Sequence, residues 1–197
     1  SSRKDLKMIL AQTGIQANFG SEDETAYEQA TLKDLQSLEA VIDIYPILLL
    51  QRTGFLEEVL GKFKKVYIHQ SVIDSLQASI DEEKLALKNG QKTIGYNNGQ
   101  YVMTGISSEQ ISQSIKTIEN LIQTIKDLPN IEVRGFTSET DNLETDFLNK
   151  LHATTRNSVY LATQLNQPLY TDDKIVRAVV KSNGVKSFST YNLLTHL

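Results

Sequence analysis

The feature that most constrains this chain is a repeated change of period. A β-branched, nearly all-apolar run lies at residues 40–45, and shorter strand-like stretches lie at 66–69, 131–134, 167–171 and 185–188. Between most of them, apolar residues return every three or four positions. The first texture suits strands buried on both faces, and the second suits amphipathic helices. A helix between two strands is a crossover, and crossovers build parallel sheets covered on both sides. The expected fold class is therefore α/β, with three α/β/α layers around a central parallel sheet.

Local signals mark the boundaries. Ser21-Glu22-Asp23-Glu24 has capping-box spacing, with a hydroxyl for one orphan N–H and a carboxylate three residues on. Tyr27, Ala30, Leu35 and Leu38 would lie on one side of the helix that follows, and Leu6, Ile9 and Leu10 form a short stripe before it. Pro46 suits a first helical turn, and Thr53-Gly54 a helix end. A second short helix is expected over residues 55–63. The next runs from Gln70 to about Leu87, with Val72, Ile73, Leu76 and Ile80 inward. Asn97-Asn98-Gly99 separates two strand-like runs and predicts a hairpin, because both Asn and Gly tolerate positive φ. Ile111, Ile115, Ile118, Ile122 and Ile125 predict a long helix with a narrow stripe, which suits core packing or self-association as a homodimer. Further helices are expected around Leu143, Phe147 and Leu151, around Val159, Leu161, Ala162 and Leu165, and from Asp173 to Ser182. Ser189 or Thr190 would cap a last one. These elements divide into an N-terminal helical extension, 1–39, and an α/β domain, 40–197. The α/β domain carries a hairpin–helix insertion at about 88–130.

Composition narrows the class. At 197 residues the chain is about one domain with an insertion. Apolar residues make up 40% and charged ones 22%, as in ordinary globular domains. The longest apolar run, 47–50, is far too short to span a bilayer. No secretory leader is read in SSRKDLKMIL, and the missing initial Met fits a piece of a longer chain. Without cysteine there are no disulfides and no thiolate metal sites, which suits a cytoplasmic setting. A net charge of −4 argues against a basic protein that coats DNA. Walker A, GxGxxG, GxSxG and HExxH patterns are absent. His69, His152 and His196 are scattered and read as packing or surface residues.

Open parallel sheets build sites beyond the carboxyl ends of their strands. Asp43 ends the first strand, Asp172 and Asp173 follow the fourth, and Asp74 lies in the first turn after the second. Carboxylates gathered at one edge repel each other unless they hold a cation, and hard oxygens suit Mg²⁺ or Mn²⁺. Each acid also has a plainer reading. Asp172 could cap the helix starting near Lys174. Asp74 follows Ser71 at capping-box spacing. Asp43 could pair with Arg156 or Lys174. Lys174, Arg177 and Lys181 recur on one helix face. That face suits either an RNA backbone or, more simply, solvent.

Two stretches resemble PIN-fold nucleases. VIDIYPILLLQRTGFLEEVLGKFKKVYIHQSVIDSL is similar to the family's opening strand, helices, second strand and acid-bearing helix. RNSVYLATQLNQPLYTDDKIVRAVVKSNGVKSFST, with its L-A-x-x-L, P-L-Y-T-D-D and G-V elements in order, is similar to its closing part. Together they cover residues 41–80 and 150–190. The hairpin and long helix further resemble the insertion in PIN domains attached to large TPR-containing proteins with a transcript-cleavage-factor-like domain.

The resemblance implies hydrolysis of RNA phosphodiester bonds with one or two Mg²⁺ or Mn²⁺ ions. It also implies other domains as partners. Carried over by position, Asp43, Asp74 and Asp172 would be catalytic, and Asp43, Asp172 and Asp173 would hold metal. Thr171 would support them, and Lys174 and Arg177 would meet RNA. The chain departs from the pattern at the third acid, where Ala153-Thr154-Thr155-Arg156-Asn157 offers none. A guanidinium there would repel cations. Asp141, Glu144 and Asp146 lie upstream at a spacing that does not match. Two expectations follow: a metal-dependent endoribonuclease, or a degenerate PIN-fold domain that binds RNA or protein without cutting.

Overall fold

A computed structural model describes residues 21–90, 92–97, 100–135 and 145–197. The stripe at Leu6, Ile9 and Leu10, the turn residues Asn98 and Gly99, and Leu143, Asp141 and Glu144 lie outside those residues. Two compact units partition the chain: Ser1–Val72 with Leu128–Leu197, and Ile73–Asp127.

The first unit is built on five parallel strands, β1 (Glu39–Ile42), β2 (Lys65–His69), β5 (Ile131–Arg134), β6 (Leu169–Tyr170) and β7 (Ser187–Phe188). Their order is β5-β2-β1-β6-β7, so β1 is central. The expected α/β class with a parallel central sheet is what forms. Alternation along the strands serves both faces. Val41, Tyr67 and Leu169 pack with Val159, Leu161 and Ala162 of α7 (Ala153–Leu165) and with Val176 and Val180 of α8 (Lys174–Ser182). Tyr170 and Phe188 stack with Phe63, at centroid distances of 6.4, 6.1 and 4.9 Å within the trio.

Between the strands run α2 (Ile44–Thr53), α3 (Leu56–Leu60) and the four-residue α6 (Thr145–Leu148), and α9 (Thr190–His196) closes the chain. α1 (Glu22–Thr31) precedes the sheet and is followed by a 3-10 turn, Leu35–Ser37. The capping box at Ser21 forms as expected: Glu24 N–H donates to Ser21 Oγ at 3.2 Å, and Ser21 N–H donates to Glu24 Oε2 at 2.9 Å. Gly54 ends α2 at φ 76°, a conformation open to glycine at little cost.

Three expectations need correction. The first strand stops at Ile42 rather than 45, because Asp43 turns its carboxylate onto Ile44 N–H and starts α2. The fourth strand is confined to Leu169–Tyr170: Pro168 has no N–H to give, and Thr171 turns its hydroxyl to Asp43. Helix α1 does not turn Ala30 inward. Its buried residue is an acid, Glu28, and the apolar burial waits until Leu32 at its C-cap.

In the second unit, the body of α4 (Gln70–Asn89) leads to β3 (Lys92–Asn97) and β4 (Gln100–Gly105). These strands pair antiparallel as the hairpin expectation requires. α5 (Ser108–Asp127) follows, with Ile111, Ile115, Leu121, Ile122 and Ile125 buried within the chain. Ser114 Oγ donates to Glu83 at 2.6 Å and Lys84 pairs with Glu119 at 3.5 Å, tying α5 to α4. Among the described residues no helix is long and apolar enough to cross a membrane.

Candidate functional site

Asp43 lies where β1 ends, fully buried. Strand sterics and the following helix place it there: its backbone N–H still donates to Tyr170 O at 3.0 Å across the sheet, while its side chain caps α2. The carboxylate takes donors from three directions. Ile44 N–H donates to Oδ1 at 2.7 Å. Thr171 Oγ1 donates to Oδ2 at 3.1 Å, and Thr155 Oγ1 lies 3.2 Å from both oxygens. Burial pushes this carboxyl above its ordinary value. The three donors pull it back, and the Asp173 charge nearby pushes it up again.

Asp172 and Asp173 divide the work of capping. Asp173 Oδ1 accepts Ile175 N–H at 2.8 Å and Val176 N–H at 3.1 Å, so it is Asp173 that caps α8. The plainer of the two sequence readings gave that role to Asp172. Instead Asp172 reaches the last helix: Thr190 N–H donates to Oδ1 and Thr190 Oγ1 to Oδ2, both at 2.7 Å. Burial raises the Asp172 carboxyl despite these bonds. The Arg177 charge lowers it and the Glu28 charge raises it.

The acid-free stretch 153–157 opens α7. Thr154 and Thr155 are buried, and His152 caps the helix through Thr154 N–H. Arg156 is half-buried, and the donors Asp43 accepts are Ile44 N–H, Thr155 and Thr171 rather than the Arg156 guanidinium that one sequence alternative proposed. Hydroxyl groups, not a cation, satisfy Asp43. Asp74 is an exposed residue of α4 and belongs to the second compact unit, whereas Asp43, Asp172 and Asp173 belong to the first. At the start of α4, Ser71 N–H donates to His69 Nδ1 at 3.1 Å.

The cationic face of α8 is met by α1, with Lys174 and Lys181 still exposed and Arg177 buried. Lys174 Nζ lies 3.6 Å from Glu24, Arg177 Nε lies 3.0 Å from Glu28, and Lys181 Nζ sits 4.4 Å from the centre of the Tyr27 ring. Arg177 is only 8% exposed and also donates from Nη1 to Thr171 O at 2.9 Å. Buried this way, it is not placed to meet an RNA phosphate, as the sequence reading had it. Glu28 in turn accepts Ser189 N–H and Oγ at 2.8 Å each and Asn192 Nδ2 at 2.7 Å. Next to the aspartates lies a cavity of about 420 Å³ lined by Tyr45, Leu48, Leu49, Arg52, Asp172 and Asp173.

With this geometry in view, the comparisons with known proteins decide the family. A family model, PIN domain associated with the TPR-GreAB-C-PIN system, matches residues 41–182. The chain belongs to this PIN family. Two solved structures are similar to this PIN domain. One is a domain of a functionally unknown protein from Methanocaldococcus jannaschii DSM 2661, 19% identical, with a TM-score of 0.42 over 78% of this chain and 91% of that one. The other is a PilT N-terminus domain protein from the hyperthermophilic archaeon Sulfolobus solfataricus P2, 18% identical, with a TM-score of 0.42 over 81% and 94%. No curated protein matches the chain.

The divalent cation that the family resemblance implies can be tested against these donors. Mg²⁺ and Mn²⁺ need several oxygens with lone pairs free to point at the ion. Among the described residues no three of His, Cys, Asp and Glu converge to hold one. Both Asp43 oxygens and both Asp172 oxygens already accept protein donors. Among the described residues, the donor set therefore does not gather the three ligands such a cation needs.

Reading the sequence missed Thr155, Thr190 and Glu28. Thr155 carried one signal, its place in the stretch where an acid was sought. Thr190 was marked only as a possible cap of the last helix, and nothing marked Glu28.

Proposed function

We propose that this PIN domain is a degenerate member that binds without cutting, as one module of a longer TPR- and Gre-containing assembly. The observation that carries this reading is the Thr155 hydroxyl on Asp43. A neutral donor stands where a further carboxylate would have to share a cation. It satisfies the one fully buried aspartate of the site with protein groups alone. A buried carboxylate with three donors is a stable structural element.

The second reading is a Mg²⁺- or Mn²⁺-dependent endoribonuclease using Asp43, Asp74 and Asp172, with Asp173 as a further ligand and Thr171 in support. One observation favours it: the Asp173 charge is near enough to act on Asp43. End-labelled RNA incubated with the protein in millimolar Mn²⁺ separates the two. The binding reading expects RNA as intact as in a protein-free control, and no heat of Mn²⁺ binding by calorimetry. Cleavage that disappears in both Asp43→Asn and Asp172→Asn would overturn it in favour of the nuclease.

A further inference from the structure

We propose that helix α1 occupies a nucleic-acid-binding face of α8, and that single-stranded RNA takes this face when α1 lifts away. The inference rests on reading the domain as a binding module, and names its ligand and its control. Lys174, Arg177 and Lys181 stand at positions i, i+3 and i+7 of α8 and so share one face. At about 1.5 Å rise per residue they mark out roughly 10 Å of cationic surface.

What α1 sets against that face is two carboxylates and one flat ring. Glu24 meets Lys174, Glu28 meets Arg177, and Tyr27 lies under Lys181. A strand of RNA offers the same groups, phosphate charges and planar rings, to the same cations. Lysine pairs with phosphate as a point charge, and a cation over a ring is a favourable contact whether the ring belongs to tyrosine or to a base. The match is therefore group for group.

The cover is also shallow. Helix α1 carries Glu22, Asp23, Glu24 and Glu28 and no basic residue, and Glu28 is its only buried residue. The Lys174–Glu24 pair is about half exposed, with side-chain exposures of 48% and 36%, and such pairs hold weakly. Within the helix Glu28 is the firm anchor, through Arg177, Ser189 and Asn192, which are polar and can be rehydrated, while Leu32 at its C-cap stays buried in the core. Arg177 keeps a role in the uncovered state, because its Nη1 bond to Thr171 O does not involve α1.

The test uses the full chain and a fluorescein-labelled oligouridine, read by anisotropy at constant salt. Glu24→Gln/Glu28→Gln removes both charges but keeps side chains that accept hydrogen bonds, including the capping box at Ser21. It should raise affinity for the probe about tenfold, the gain expected when a competent state stops being rare. Amide exchange over residues 22–31 should quicken in the same variant. Adding Lys174→Gln/Lys181→Gln should return affinity to the wild-type level. Glu57→Gln/Glu58→Gln, the same change of net charge on exposed α3, should leave affinity unchanged.

Faster exchange without a gain in affinity overturns the proposal. So does an equal gain in the α3 control, and so does a gain that survives loss of both lysines. Polyglutamate binding the uncovered face as tightly as oligouridine would overturn its assignment to RNA. If Glu28→Gln does not fold, Glu24→Gln/Tyr27→Ala carries the same test through the two outer contacts. Mn²⁺-dependent shortening of the probe would sink the non-cutting reading and leave the covered face standing, so the two failures are distinguishable.

Discussion

Replacing Thr155 by aspartate asks the site directly whether a carboxylate is missing there. Thr155 Oγ1 lies 3.2 Å from both oxygens of Asp43, and the two residues are 3% and 0% exposed. Aspartate at this position sets a second charge about 4 Å from the first. At an effective dielectric constant near 20 that repulsion is about 4 kcal/mol. The donor to Asp43 is lost as well, and Thr155→Val measures that loss alone at about 1.5–3 kcal/mol. For a chain of this length each kcal/mol moves Tm by about 2–4 °C. In EDTA at pH 7, Thr155→Asp should therefore melt about 10 °C or more below wild type. At pH 5 the gap should narrow, because two neighbouring carboxyls can share one proton. Saturating Mn²⁺ should recover part of it, about 2.7 kcal/mol at a hundredfold excess over Kd. Thr155→Val should not respond to Mn²⁺. Differential scanning calorimetry reads all of these. A Thr155→Asp variant melting within about 2 °C of wild type in EDTA at pH 7 would show that residue 155 does not confront Asp43, and the reasoning would fail.

Two further outcomes follow from the same structure. Burial holds the folded Asp172 carboxyl above its unfolded value. Its contribution to stability is therefore complete below the unfolded value, about 4, and drains away as pH climbs through the folded one. Asp172→Asn should accordingly lose less stability than wild type between about pH 4 and pH 7 in urea titrations, and an unchanged slope would contradict the shift. Phe188→Ala removes the fully buried ring that meets both Phe63 and Tyr170 and should cost about 3–5 kcal/mol by denaturant unfolding.

The strands were legible where both faces are buried. In β1 and β2 the inner runs Ala40–Ile42 and Val66–Ile68 are apolar throughout because each side of the sheet is covered, and no polar alternation blurs them. The ends of the strands were less legible. Asp43 reads as part of an apolar run until its carboxylate is seen to start α2. The candidate site was readable as a set of acids but not as a set of bonds. Asp172 has a suitable helix two residues downstream, yet its oxygens serve a helix 18 residues on, a pairing no local spacing reveals. Thr155 carries no charge, so it gave no sign of holding one. The α8 cations read as a solvated face, which holds for Lys174 and Lys181 but not for Arg177, whose partner Glu28 lies far back in the chain on α1. Periodicity itself misleads at Glu28, since an acid is counted outward by default and this one is buried.

Strands β2 and β5 pair residue for residue from Val66 with Ile131 to His69 with Arg134, although the whole excursion from residue 73 to 127 lies between them in sequence. The detour therefore departs from one strand and re-enters on its immediate neighbour. Nothing else in the ladder has to be rethreaded when its length changes. Shortening or exchanging the detour while the β2–β5 register is kept leaves the hydrogen-bonded frame around Asp43 intact.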